Sequence, residues 1–397
     1  MAATLPARQV SDLCLGKLPL RSLSISATVA EALAAFKRSG NNCVSVWSCK
    51  HGQLSEDSTA AEKVDAAGLD ECRCVGKVCM VDIICFLCKE ENLSNPGTVL
   101  QAPVSVFIRK TGDVVRHLNP NASLVEAIDL ILGGAQNLVI PLENNGRNSR
   151  KKLLQNALSN STFHDNRQYC WLTQEDIVRF LVNAIGVFTQ IAVNPINSLG
   201  VIDAQNIATV HYDEPASSAL PLISQSLEMQ TSVAVVDGDG RLVGEISPFT
   251  LNSCGWDVAA AIATLSAGDL MAYIDCGGPP EDLIQLMKER LQERNLVKAL
   301  ELVEEDSGIS SGFSSVSSSC SSSEDEEFRV GMRNGRSGGY SAKVARRSEA
   351  IVCHPWSSLV AVMIQALSHR ASYVWVVEEY QTLVGIVTFT GMLKVFR

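Results

Sequence analysis

Cys85-Phe-Leu-Cys88, with Cys72 and Cys74 close by, is the first place in this chain where side chains could do chemistry, because paired thiols hold zinc or exchange a disulfide. Both members of the pair sit in the apolar run from Val81 to Leu87, which reads as buried thiols on a helix face. Gly308-Ile-Ser-Ser-Gly312 has the form of a nucleophile elbow, but no strand precedes it and it lies in serine-rich sequence. Gly238-Asp-Gly240 leads into a strand rather than a helix, so it is turn chemistry and not a dinucleotide fingerprint. There is no Gly-Lys-Ser/Thr phosphate loop and no His-Glu-x-x-His, and the six histidines are scattered. Thr173-Gln-Glu-Asp176 stands where an apolar run gives way to a helical pattern and is close to a capping box, worth about 0.5–2 kcal/mol with no ligand at all. No catalytic constellation assembles, so the expectation is a chain that is not an enzyme and requires no metal or cofactor.

A second kind of chemistry is regulatory. From Ser307 to Ser323, 11 of 17 residues are serine, and this segment holds too few large apolar side chains to offset its ordering entropy, so it reads as disordered. Ser321, Ser322 and Ser323 each have an acid three residues on, as acid-directed kinases prefer, and Arg346-Arg347-Ser348 fits a basophilic kinase. Phosphate there would add about −1.5 to −2 charge; the plain alternative is a solvated linker. Glu301–Glu327 carries eight acids and no Lys or Arg, whereas Phe328–Arg347 carries six Lys/Arg and no acid, so the two halves could pair with each other or with different partners.

The elements that must position these groups recur. In Thr231–Thr250, the β-branched run Val233–Val236, the turn Asp237-Gly-Asp-Gly240 and the run Leu242–Ile246 read as a tight hairpin, with helix-compatible residues from Pro215 to Met229 before it. The C-terminus repeats the plan: Pro355 to His369, then Val374–Val377 and Leu383–Thr388. Pro215 lies 29 residues before Gly244 and Pro355 lies 30 before Gly385, so the chain is built of repeats. Two more copies precede these. One has Val29, Leu33 and Phe36 on a helix face, then strands Cys43–Trp47 and Cys74–Cys79 and a helix through Val81–Leu87. The other has Leu124, Ile128 and Ile131, then Asn137–Pro141, Tyr169–Thr173 and a helix from Gln174 to Ala184. In the third copy Ala219, Ile223 and Leu227 make the helix face, and in the fourth Leu359, Met363 and Leu367 do. The repeats therefore span 1–100 with an insertion at 50–71, 101–190 with one at 144–168, 191–262, and 263–397 with one at 277–347 that opens on an amphipathic helix bearing Ile284, Met287 and Leu291. A long insertion need not break a repeat, because closure entropy grows only as the logarithm of loop length.

Bulk properties set the outer limits. A chain of 397 residues, 46% hydrophobic but only 6% aromatic, can bury a large aliphatic core. Its formal charge of −10 argues against a sequence-independent grip on nucleic acid. Thirteen cysteines, an odd number, with no apolar signal core in Met1–Arg8, point to a reduced cytosolic or nuclear setting without signal or transit peptide. In that setting the Asn-x-Ser/Thr triplets at Asn92, Asn121 and Asn160 lose their meaning as glycan sites. No apolar stretch is long enough to span a membrane.

Four strand-helix-strand-strand-helix units, the lead-in Ser266-Ala-Gly-Asp-Leu-Met271 and the close Val384-Gly-Ile-Val-Thr388 resemble the CBS (cystathionine-β-synthase) domain. The whole resembles plant CBS-domain-only (CBSX-type) proteins, which are similar to the γ regulatory subunit of AMP-activated protein kinase. The resemblance implies an α/β fold of four CBS β-α-β-β-α units paired into two Bateman modules, with adenosine-nucleotide sites in the clefts. In ligand-binding CBS repeats the closing strand ends Gly-h-h-Thr/Ser-x-x-Asp. The carboxylate can accept from both ribose hydroxyls, and the hydroxyl beside free helix N–H groups suits a phosphate. Repeat two carries Thr173 and Asp176, with Cys170 and Trp171 where glycine and an aliphatic are usual. Repeat one carries Asp82 with Cys79 in the hydroxyl position, repeat three Ser247 with Thr250 in the Asp position, and repeat four Thr388 with Gly391 there. The resemblance thus leads to a non-enzymatic regulator that binds AMP, ADP, ATP or S-adenosylmethionine at the first module and signals to a metabolic kinase complex or a thioredoxin-type protein. A homodimer stays open. The alternative is a ligand-independent scaffold with degenerate sites and a phosphorylatable insertion.

Overall fold

Each repeat grows from a capped helix. In this computed structural model, which describes residues 8–49, 72–108, 115–142, 164, 167–187, 189–275, 280–300 and 348–397, repeat one contains β1 (Ser22–Ser24), α1 (Val29–Ser39), β2 (Cys43–Ser48), β3 (Arg73–Cys79) and α2 (Met80–Leu87). Thr28 caps α1 in a capping box: its hydroxyl accepts from the Glu31 N–H at 3.3 Å, and its own N–H donates to Glu31 Oε2 at 2.7 Å. Gly40 ends the helix at φ +62°, a left-handed position that glycine fills without a Cβ penalty. Repeat two repeats the plan in β4 (Val115–His117), α3 (Leu124–Leu132, capped by Ser123), β5 (Asn137–Leu142), β6 (Gln168–Thr173) and α4 (Gln174–Asn183).

Repeat three runs β7 (Thr209–His211), α5 (Leu220–Met229), β8 (Val233–Val236), β9 (Leu242–Ile246) and the single turn α6 (Pro248–Leu251). Its helical stretch is split: 216–219 is 3₁₀ and the α-helix starts at Leu220, with Pro221 in its first turn. Then come α7 (Val258–Thr264), α8 (Ala267–Asp275) and α9 (Glu281–Glu293), the last being the expected insertion helix with Met287 and Leu291 buried. The expected boundary at 262/263 falls inside α7. Repeat four closes the chain with β10 (Val352–Cys353), α10 (Leu359–Ser368, capped by Ser358), β11 (Tyr373–Val377), β12 (Leu383–Thr388) and α11 (Phe389–Lys394). The insertions at 50–71 and 144–163, and most of 277–347 including Ser321–Ser323 and Gly308–Gly312, lie outside the described residues.

Each repeat forms its own three-stranded sheet, with the first strand parallel to the second and the third antiparallel to it. The register equates Gly76 (opposite Val46), Cys170 (opposite Ile140), Gly244 (opposite Val235) and Gly385 (opposite Val376). Pairing of the repeats is visible in the backbone, and it is reciprocal. The lead-in of repeat one bridges to the helix start of repeat two (Gln9 to Ser123), and that of repeat two bridges back to repeat one (Pro103 to Thr28). Repeats three and four do the same through Pro195 to Ser358 and Ser266 to Pro215. The bonds match position for position: Leu124 N–H donates to Arg8 O at 3.1 Å, Val29 N–H to Ala102 O at 2.9 Å, Leu359 N–H to Asn194 O at 3.0 Å and Ala216 N–H to Leu265 O at 2.9 Å.

Within each pair the sheets face one another. Trp47 and Cys74 of repeat one pack with Val115 and Val139 of repeat two, and Ala234 and Leu242 of repeat three pack with Tyr373, Trp375 and Ile386 of repeat four. Helices join the pairs. Repeat one shares a core with repeat three, through Ile83, Ile84, Ala259 and Ile262 among others, and repeat two shares one with repeat four, through Ile128, Leu181, Met363 and Met392. Among the described residues, no helix is long and apolar enough to cross a membrane.

Candidate functional site

All four strand-to-helix junctions converge on one central cavity of about 250 Å³. Cys79 of repeat one, Thr173 of repeat two, Pro248 of repeat three and Phe389 of repeat four line it. Lys77, from β3, and Arg370 supply its cationic side chains. Asn137 Nδ2 and Ser226 Oγ, both buried, line the same cavity and make no hydrogen bond to a described protein group.

Outside the cavity, each junction meets the lead-in of its paired repeat, and the lead-in comes close enough to explain the glycine. A Cβ on Gly76 would stand 2.8 Å from Ile108 Cδ1, and one on Gly244 would stand 2.9 Å from Met271 Sδ. One on Gly385 would run into Ile202. In repeat two Cys170 replaces the glycine, and the facing lead-in offers the small Cys14, whose thiol is hydrogen-bonded with that of Cys170. That bond holds Cys14 below the ordinary thiol range and raises Cys170.

Of the expected residues, Thr173 and Asp176 are bonded to one another between two cavities, Thr173 lining the central one and Asp176 an open cleft beside it. Thr173 caps α4: Asp176 N–H donates to Thr173 Oγ1 at 3.4 Å, while Asp176 Oδ2 accepts from Thr173 N–H and Oγ1, each at 2.8 Å. Lys17, from the repeat-one lead-in, also donates to Asp176 Oδ2, and to Trp171 O at 2.7 Å. All of these bonds fall on one carboxylate oxygen, so Oδ1 has no protein partner among the described residues. The cleft beside it is about 500 Å³ and carries Lys17, Arg179 and Arg8 on its walls.

The other junctions are spent locally. Asp82 Oδ2 accepts from the Cys79 N–H at 2.7 Å. The Cys79 thiol donates to Cys43, which keeps Cys43 below the ordinary thiol range and raises Cys79. Ser247 is buried and caps α6 through the Phe249 N–H at 3.2 Å. Thr388 caps α11 through the Gly391 N–H at 3.0 Å and borders a cleft of about 700 Å³. Asp203, on the facing lead-in, borders that cleft too. Partial burial opposes its ionisation, but the Asn206 side chain and the N–H groups of Asn206 and Gln205 outweigh this and hold it below the ordinary carboxylate range. Ser348 is buried, with its N–H donated to Asp275 Oδ1 at 2.5 Å and its hydroxyl to Asp275 Oδ2. A kinase would have to withdraw it from that contact. Cys85 and Cys88, at the end of α2 and both half-buried, have their thiols raised by burial, Cys85 to about 12.

Sequence reasoning passed over Lys17, Lys77, Asn137, Asp203 and Arg370. Lys77 did carry a signal, a lysine inside the otherwise apolar closing strand Cys74–Cys79.

No protein-family model matches the chain. Across its whole length, however, it is 45% identical to the CBS domain-containing protein CBSX5 of Arabidopsis thaliana, covering 98% of that protein. The chain belongs to the CBS domain-containing proteins. It is also 22% identical, over 98% of its length and 94% of the relative's, to an SNF1-related protein kinase regulatory subunit gamma-like protein, PV42b, of the same plant. The fold is similar to that of MJ1225 from Methanocaldococcus jannaschii, described as an archaeal homologue of the AMPK γ subunit, with a TM-score of 0.52 at 14% identity, 98% of this chain and 100% of that one being covered. As a CBS protein, the chain has the four-repeat plan that the sequence resemblance implied.

Proposed function

We propose that this CBS protein is a non-enzymatic regulator that binds an adenosine-containing ligand in the cleft between repeats one and two and passes its occupancy to a protein partner. The observation that carries the reading is Asp176: its Oδ1 makes no bond to a described protein group and stands beside a cleft with three cations on its walls. A ribose would be accepted by that carboxylate. Thr173, three residues earlier, borders the central cavity, where Lys77 and Arg370 offer charge to a phosphate and Asn137 and Ser226 offer unmatched polar atoms. Similarity to a kinase γ-like subunit makes a kinase complex the first partner to try, ahead of a thioredoxin-type protein. Calorimetry of the full-length protein with AMP, ADP, ATP and S-adenosylmethionine tests the ligand. Asp176→Asn, which loses the charge, should weaken binding by about 1–3 kcal/mol. No heat from the wild type with any of the four, or equal affinity in the variant, would overturn the site.

A ligand-independent scaffold is the second reading. It is favoured by the caps that already occupy Asp82, Ser247 and Thr388. Deleting 307–347 separates the two, since a scaffold should then lose its partners while a sensor should keep its ligand.

A further inference from the structure

At the opposite end of β2 from the central cavity, three metal-binding side chains from three separate stretches of sequence come together. Cys43 opens onto the cavity at the start of β2, and Cys49 follows its last residue, about 20 Å away at the rise of a strand. Ser48 pairs with Arg73 across the antiparallel ladder, which sets Cys49 opposite Cys72. His164 comes from the other repeat, held by a two-bond backbone bridge with Arg167 at 3.1 and 2.9 Å just ahead of β6. Its ring lies flat on Trp47, with centroids 3.7 Å apart and planes 4° from parallel. The two ring nitrogens are used differently: Nε2 is 3.0 Å from Ser22 Oγ and Nδ1 is 3.2 Å from Cys49 Sγ. The two sulfurs and the histidine nitrogen all lie within 4.8 Å of one another, and Cys72 and His164 are buried while Cys49 is exposed.

We propose that Cys49, Cys72 and His164 bind a soft divalent ion of the zinc type, through two thiolates and His164 Nδ1. Zinc takes sulfur at about 2.3 Å and imidazole nitrogen at about 2.0–2.1 Å. Its tetrahedral ligand atoms therefore stand roughly 3.5 Å apart, close to the Nδ1–Sγ separation here. Ser22, bonded to the far nitrogen, fixes the ring and its tautomer, which is the usual part of a neighbour behind a metal-binding histidine. The apolar wall of Trp47, Val115 and Val139 keeps the histidine and Cys72 out of water, and the exposed side of Cys49 leaves a fourth position for water. Binding exchanges two thiol protons for the ion, with no change in redox state, so affinity rises with pH. Because the thiols belong to repeat one and the imidazole to repeat two, the ion would pin the two sheets together. The half-buried Cys85–Cys88 pair, at the end of α2, takes no part.

The test uses the full-length protein, reduced, stripped with a chelator and titrated with Co²⁺ and then Zn²⁺. The wild type should develop thiolate-to-cobalt charge-transfer bands and tetrahedral d–d bands, saturating at a single equivalent, which Zn²⁺ then bleaches. Cys49→Ser and His164→Asn should lose these bands while keeping the circular dichroism of the wild type, and Cys85→Ser should keep both. Ser22→Ala should bind about 10–100-fold more weakly. Zn²⁺ should raise the melting temperature of the wild type and leave that of Cys49→Ser unmoved. The proposal falls if the wild type shows no cobalt bands, if Cys49→Ser shows them undiminished, or if peptide mass analysis finds Cys49 and Cys72 joined as a disulfide that forms equally fast with Zn²⁺ present.

Discussion

Glu245 is the buried carboxyl side chain on which the second pair of repeats closes. It lies in β9 with 1% of its surface exposed, and Tyr373 and Trp375 of β11 reach it across the sheet interface, both fully buried. Tyr373 OH donates to Oε1 at 2.7 Å and Trp375 Nε1–H to Oε2 at 2.7 Å, while Tyr373 OH also lies 3.2 Å from Ser247 Oγ. Replacing Glu245 by leucine removes the cost of burying a polar carboxyl group but leaves two buried donors without their acceptor, at about 1–3 kcal/mol each. The single variant should therefore lose about 2–5 kcal/mol. The informative measurement is the coupling. Trp375→Phe should lose most of its own effect in the Glu245→Leu background, with an interaction energy of about 1–3 kcal/mol, because its N–H has no other acceptor among the described residues. Tyr373→Phe should couple more weakly, because its hydroxyl can turn to Ser247. Urea unfolding of the four proteins of each cycle, followed by tryptophan fluorescence and circular dichroism together, provides the numbers. Additivity within about 0.5 kcal/mol in the tryptophan cycle, or stronger coupling to the tyrosine, would refute the reasoning.

Three further outcomes follow from the same geometry. Gly385→Ala should destabilise the protein by about 1–3 kcal/mol and Ile202→Ala should recover part of the loss, whereas Gly76→Ala should cost less, since it meets only the mobile end of Ile108; thermal unfolding ranks them. Cys43, kept below the ordinary thiol range by the bond from Cys79, should reach half its maximal alkylation rate below the pH of about 8.5 typical of a free thiol. Peptide mapping after iodoacetamide should show Cys79→Ala moving that midpoint upward, and an unmoved midpoint would count against the assigned bond. Lys17→Met should cost only about 1 kcal/mol, because the pair it breaks with Asp176 is partly exposed, at 23% and 17% of the side chains, and the loss should shrink in high salt.

Much of the architecture was legible because local chemistry enforces it. Thr28, Ser123 and Ser358 cap equivalent helices, and Gly76, Gly244 and Gly385 admit a lead-in where a Cβ would not fit, so spacing between such residues repeats whenever the unit does. Periodicity failed at α7, Val258–Thr264, for a physical reason: nearly every side chain there is buried, so the helix has no polar face to set a 3.6-residue rhythm. The exchange of lead-ins was invisible because each rests on a few backbone bonds formed only after the repeats dock. The candidate site was half legible. Thr173 and Asp176 lie three residues apart, whereas Lys17, Lys77 and Arg370 reach the same region from remote strands and loops. The thiols and imidazole beside Trp47 could not be read together, because an insertion separates Cys49 from Cys72 and His164 lies in a second insertion beyond most of repeat two.

The exchanged lead-ins change what counts as an indivisible part of this molecule. Severing the chain between repeats one and two would leave each fragment carrying the lead-in that packs on its former neighbour and lacking the one that packs on itself. They also set a mechanical path. A tug on the polypeptide ahead of Val10 is passed directly to Ser123, more than a hundred residues downstream, through the bridge between them. Whatever grasps this protein by its N-terminal end therefore has its hand on the repeat that carries Asp176.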